Sequence, residues 1–136
     1  MVRIGIEYLG DFRCKATHEP SGATLETAAP LDNGGKGDGF SPTDLAATSL
    51  GTCIATVLGL YASRNGLDLT GMKVGVEKEM TSAGPRRIAR LDVEVRLPLR
   101  RREPHATALE QAAAGCPVHR SLGGQVEKRI RFVWLG

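Results

Sequence analysis

Aromatic residues make up only 4% of the 136-residue chain, and that scarcity removes one function class at once. Basic residues cluster at Arg100-Arg101-Arg102 and Arg86-Arg87. A nucleic-acid surface pairs such a patch with a reading helix or with stacking rings. At a net charge of +3 the clusters read as solvated turn charges, so no nucleic-acid partner is expected. Cysteine is also sparse, and three is an odd number, which argues against a secreted disulfide framework. The spacing lacks the short paired intervals of a zinc site. His18 and His105 fall in or near turns, so neither a metal nor a bound cofactor is expected. No apolar run approaches the roughly 20 residues needed to span a bilayer. Met1-Val2-Arg3-Ile4-Gly5 has no apolar signal-peptide core. The expectation is therefore no membrane association and a bacterial-type cytoplasm. With no internal repeat, low-complexity tract or linker, residues 1–136 are expected to form a single domain. A chain of this length buries roughly two-thirds of its unfolded surface without disulfide staples.

Patterning supplies the elements. Val2, Ile4, Ile6 and Tyr8 alternate with polar or small residues, which predicts a half-buried strand. Leu9-Gly10-Asp11 turns the chain into a second strand from Phe12 to Thr17. Pro20-Ser21-Gly22 turns it again into a third, from Ala23 to Thr27. The loop from Ala28 to Phe40 ends in Asn33-Gly34-Gly35-Lys36-Gly37-Asp38-Gly39. It lacks the Gly-Lys-Ser/Thr ending of a P-loop, so it reads as flexible, with several positive φ angles.

Ser41 then opens the main helix. Ser41 is a suitable N-cap, Pro42 fits the first helical position, and Asp44 completes a capping-box-like pattern. Leu45, Leu50, Cys53, Ile54, Val57, Leu58 and Tyr61 keep the 3.6-residue period, and Arg64-Asn65-Gly66 ends the helix. It is apolar over most of its circumference and is expected to be buried almost all round. Val74 and Val76 open a strand that ends near Met80. Ala89, Leu91, Val93, Val95 and Leu97 alternate with charges in the next strand. Pro104 starts a second helix that Gly115 ends. Cys116 to Leu122 forms a short helical turn, and Val126 to Trp134 a last strand. The order βββ-α-ββ-α-(short α)-β predicts an α+β fold with antiparallel sheet. One small sheet does not cover a helix apolar all round, so an obligate, intertwined homodimer is expected.

Two cysteines stand out. Cys53 lies within the apolar helix, and Cys116 opens Cys116-Pro117-Val118-His119-Arg120. On residue type alone, Cys53 reads first as a small buried hydrophobe. His119 alone reads as solvent-facing, Asp44 as a helix cap, and Cys14 as structural. Asp44 and Cys53 are nine residues apart, about 13 Å along a helix and on opposite sides, so one straight helix does not bring them into one site.

Three segments carry a family resemblance: Gly34-Gly35 in the loop, Phe40-Ser41-Pro42-Thr43-Asp44-Leu45 with Leu50-Gly51-Thr52-Cys53, and Cys116-Pro117-Val118-His119-Arg120-Ser121-Leu122. With the element order, they make the chain resemble the OsmC/Ohr family, from about Gly22 to Leu135, and its general OsmC-like branch in particular. The resemblance implies an intertwined homodimer with antiparallel sheets and two buried central helices. It also implies a cysteine-based peroxidase for organic hydroperoxides. Cys53 takes the peroxidatic position and Cys116 the resolving one. Arg13 is the candidate for the family's strand arginine, with Arg3 the alternative, and Asp44 is the candidate acid. Organic-hydroperoxide-resistance members carry glutamate at the position of Thr43.

The implied cycle has a chemical requirement. The thiolate is the nucleophile, and apolar burial favours the thiol, so Cys53 needs a cation nearby. Arginine stays charged and presents a planar fork. Attack on the peroxide gives a sulfenic acid, Cys116 condenses with it to a disulfide, and an external dithiol reduces that disulfide. The competing reading is a dimeric OsmC-like module that holds a small ligand in an apolar cleft, with inert cysteines.

Overall fold

The alternating segment at the N-terminus forms β1 (Ile4–Gly10), and a tight turn leads to β2 (Arg13–His18) and then β3 (Thr24–Ala28), in a computed structural model that describes residues 1–136. Asp11 and Phe12 hold positive φ in that turn (51° and 60°). The chain forms two units, Met1–Ala46 and Ala47–Gly136.

In the first unit β1, β2 and β3 make an antiparallel sheet in sequence order. The register places Ile6, Ala16 and Leu25 side by side, and Tyr8, Cys14 and Thr27 in the next row of the same face. After β3 comes a short 3-10 turn, Leu31–Asn33, and then the start of helix α1 (Pro42–Arg64).

In the second unit α1 continues to Arg64, followed by β4 (Lys73–Met80), β5 (Ile88–Leu97), α2 (His105–Ala114), α3 (Pro117–Ser121) and β6 (Glu127–Trp134). The mixed α+β class and the element order are those the sequence predicts. One detail differs. β5 pairs antiparallel with β4 but parallel with β6, so the sheet β4-β5-β6 is mixed rather than antiparallel throughout. The reason lies in the connection. A parallel neighbour needs a crossover of a dozen or more residues, and the segment carrying α2 and α3 supplies it.

Inward residues of β5 (Leu91, Val93, Val95, Leu97) form the core with Leu50, Ile54 and Leu58 of α1 and Leu109 and Ala113 of α2. Leu50, Ile54, Leu58, Leu91, Val95 and Leu109 are shut off from solvent. Each such side chain contributes about 1.5–3 kcal/mol by leaving water.

In the single chain α1 buries one stripe, Ala47, Leu50, Gly51, Ile54, Leu58 and Ala62, while Leu60 stays 50% exposed, so the expected all-round burial of this helix needs the cover of a second subunit. One three-stranded sheet covers only one side of a helix. The 23-residue helix is also long and apolar enough to cross a bilayer, contrary to the expected lack of any such segment. Its many Ala, Gly, Ser and Thr residues hide that length from a search for unbroken apolar runs. Its Leu50, Ile54 and Leu58 serve the core just described, with Val57 and Tyr61 packed against it.

Candidate active site

Backbone hydrogen-bond satisfaction starts the site. The first turn of α1 leaves free N–H groups. Ser41 Oγ accepts from the Asp44 N–H at 3.0 Å, and Asp44 Oδ2 accepts from the Ser41 N–H at 2.9 Å. This reciprocal box fixes where the helix begins, with Pro42 as its first residue. Gly51 then lets the helix approach the sheet. A Cβ there would stand 2.8 Å from Val76 Cγ2 of β4. Cys53, two residues on, is half-buried and packs against the core.

Cys116 is reached from the other direction. Gly115 caps α2, its N–H bonding to Gln111 O and Ala112 O, and the chain re-enters helix at Pro117. Cys116 is the N-cap of α3 and is fully buried. Its Sγ accepts from the His119 N–H at 3.2 Å. Burial is the main force on this thiol and pushes its pKa above the ordinary 9.0. The His119 N–H opposes that push, and a side-chain hydrogen bond with Cys53, together with its charge, adds to it. The two cysteines therefore meet in space, and both are free thiols.

His119 contributes through its backbone rather than its ring. The ring is half-buried, not solvent-facing, and its pKa is lowered by burial first and by the charge of Lys128 second. Lys128 Nζ in turn donates to Leu122 O at 3.1 Å.

The remaining candidates lie in the first unit. Arg13, at the start of β2, donates from Nη2 to Asp38 Oδ2 of the glycine-rich loop. Arg3 pairs with Glu19 at 2.8 Å in a strongly exposed contact. Asp44 is the acid of the helix cap, roughly 13 Å along α1 from Cys53. Cys14 is half-buried on β2 beside Tyr8 and Thr27. Asp38 is the residue that sequence reasoning passes over, because its pairing with a strand 25 residues away leaves no local pattern. No group of three or more His, Cys, Asp or Glu side chains is placed to hold a metal.

Fold and site together define a mixed α+β protein with two adjacent free thiols, one half-buried on a long helix and one buried at a helix cap. Residues 35–131 match the model of the OsmC-like protein family, and the chain belongs to that family. Among solved structures it is similar to a Psychrobacter arcticus 273-4 protein, provisionally described as an osmotic stress induced and detoxification response protein. The two are 32% identical with a TM-score of 0.92, over 98% of this chain and 96% of that one. It shares its fold with an organic hydroperoxide resistance protein OsmC from Legionella pneumophila (17% identity, TM-score 0.75, 97% and 96% covered). The same holds for the organic hydroperoxide resistance protein OhrB of Bacillus subtilis (15% identity, TM-score 0.69, 98% of each chain). No curated protein matches the chain in sequence.

Proposed function

We propose that the protein is a homodimeric thiol peroxidase that reduces organic hydroperoxides in oxidative stress defence. The observation that carries this reading is the adjacency of Cys53 and Cys116 as free thiols of unequal exposure. Family membership supports it, as do the fold relatives described as organic hydroperoxide resistance proteins.

The difference in exposure supports the division of roles. Cys53 is the half-buried member that a substrate reaches, and Cys116 is the enclosed member that waits. The Cys53 thiolate attacks the terminal, hydrogen-bearing oxygen of the hydroperoxide. The O–O bond breaks, Cys53 becomes a sulfenic acid, and the leaving alkoxide takes a proton to become the alcohol. The sulfur of Cys116 then displaces hydroxide from the sulfenic acid. A Cys53–Cys116 disulfide forms, and the Cys116 proton leaves in water. An external dithiol restores both thiols by exchange and is itself oxidised to a disulfide. Arg13 is the cation this reading assigns to the peroxidatic thiol, because a guanidinium stays charged at every working pH. Asp44 anchors the first turn of the helix that carries Cys53.

Steady-state turnover of cumene hydroperoxide with dithiothreitol tests the reading. Cys53→Ser is expected to abolish turnover. Cys116→Ser is expected to leave one round of peroxide consumption but stop disulfide formation, read by intact-mass spectrometry. Unchanged turnover in Cys53→Ser sinks the proposal. A wild-type protein that forms no Cys53–Cys116 disulfide under peroxide points instead to the ligand-binding module with inert cysteines.

A further inference from the structure

The glycine-rich loop does not behave as the slack segment its composition suggests. A Cβ on Gly35 would lie 1.8 Å from the Ala29 carbonyl oxygen, so only glycine fits there. Gly37 holds φ +63°, and a Cβ there would press on Leu31 at 2.7 Å. Gly35 N–H and Asn33 N–H both bond to Pro30 O, at 2.9 and 3.0 Å. The ends are fastened to the sheet. Ala29 N–H bonds to the carbonyl of Phe12, the residue before Arg13, at 3.1 Å. Ala28 N–H bonds to Phe40 O at 2.9 Å, and Ala28 is the cross-strand neighbour of Arg13. A loop closed at both ends beside one strand residue holds its intervening side chains in a narrow range of positions. Asp38 is the acidic side chain in it that meets Arg13.

We propose that Asp38 is the positioning residue for Arg13, and that the packed glycine loop is the scaffold that presents it. The proposal rests on the peroxidase reading, in which Arg13 serves the Cys53 thiolate. Arg13 is about one-third exposed, and a long side chain in that setting moves among many rotamers. A carboxylate on one edge of the guanidinium fixes its plane and leaves further N–H donors for a second anion. The ion pair lowers the pKa of Asp38, chiefly through the hydrogen bond from Arg13, so the carboxylate is charged throughout the neutral range.

Two effects of Asp38 oppose each other, and the experiment separates them. The carboxylate offsets part of the Arg13 charge, so Asp38→Asn would raise thiolate reactivity if charge alone mattered. If positioning dominates, Asp38→Asn lowers it. On the full-length protein, kcat/KM for cumene hydroperoxide is expected to fall about tenfold in Asp38→Asn, the kind of loss a small misplacement causes. Asp38→Glu is expected to restore most of it. Asp38→Asn added to Arg13→Ala is expected to cost nothing further. Alkylation of Cys53 by iodoacetamide against pH gives a second readout, with the midpoint moving upward in Asp38→Asn. A kcat/KM within twofold of the parent, additive losses in the double variant, or an unmoved or lowered alkylation midpoint each overturn the proposal. Turnover in Cys53→Ser would instead overturn the peroxidase reading. Loss of activity in Cys53→Ser and Arg13→Ala with a silent Asp38→Asn removes the positioning role alone.

Discussion

Cys116 is enclosed, and the enclosure has a pH signature. Its folded pKa is raised above the ordinary 9.0, first by burial. Well below that value the thiol is protonated in folded and unfolded chains alike and stability does not change. Above that value the unfolded chain releases the proton while the folded chain retains it, so stability falls as pH rises. Chemical denaturation from pH 7 to 10.5 is expected to show an alkaline loss that Cys116→Ala reduces. An identical alkaline slope in Cys116→Ala would show that the thiol is not the group responsible. His119 acts at the other end of the scale. Its pKa is lowered from 6.5, so its contribution is present above that value and is lost as acid protonates the unfolded chain. The candidate thiols are legible in the sequence because each lies in a motif. The support around Cys116 is not, since the donor is the backbone N–H of His119 and every residue type but proline carries one.

Helix α1 owes its position to its caps and to one glycine. The cap is readable in advance because Ser41, Pro42 and Asp44 satisfy a local rule. The close approach at Gly51 is not readable, because it depends on Val76, which is 25 positions along the chain. Gly51→Ala sets two effects against each other. Removing a mid-helix glycine gains up to about 1 kcal/mol. Forcing a methyl to 2.8 Å from a short, stiff valine costs about 1–3 kcal/mol by overpacking. The clash wins, and thermal unfolding of Gly51→Ala is expected several degrees below that of the parent. Pairing with Val76→Ala should recover the loss, apart from the cavity cost of Val76→Ala alone. An unchanged or higher midpoint in Gly51→Ala would mean that helix and strand separate freely. The same limit of local pattern explains the strand direction. Alternation in Val126 to Trp134 marks β6 as a strand but carries no sign of parallel or antiparallel, which the crossover through α2 and α3 decides. Glycine richness between Asn33 and Gly39 likewise signals unusual φ angles, whereas the carbonyl of Ala29 that makes Gly35 obligatory appears only in three dimensions.

The whole molecule carries more apolar surface than a single chain covers. In the first unit Ile4, Ile6 and Tyr8 share a face with Leu25, and Ile6 is 72% exposed. Phe12, Phe40 and Leu60 are also half or more exposed. Contiguous apolar faces of this kind mark association surfaces, and a three-stranded sheet gains independent stability only when such a face is covered. A second copy of the chain is the occupant proposed here, because a two-fold interface brings identical apolar faces together without a separate partner. Size-exclusion chromatography with light scattering is expected to give twice the mass of one chain. The melting temperature should rise with protein concentration, as mass action requires for an assembly that only folded chains form. Ile6→Asp places a charge on the exposed face and removes nothing from the core of Ala47–Gly136. It is expected to shift the mass toward one chain and to abolish the concentration dependence. A wild-type protein that stays at the mass of one chain at micromolar concentrations would leave the apolar sheet face without its proposed cover and remove the dimer.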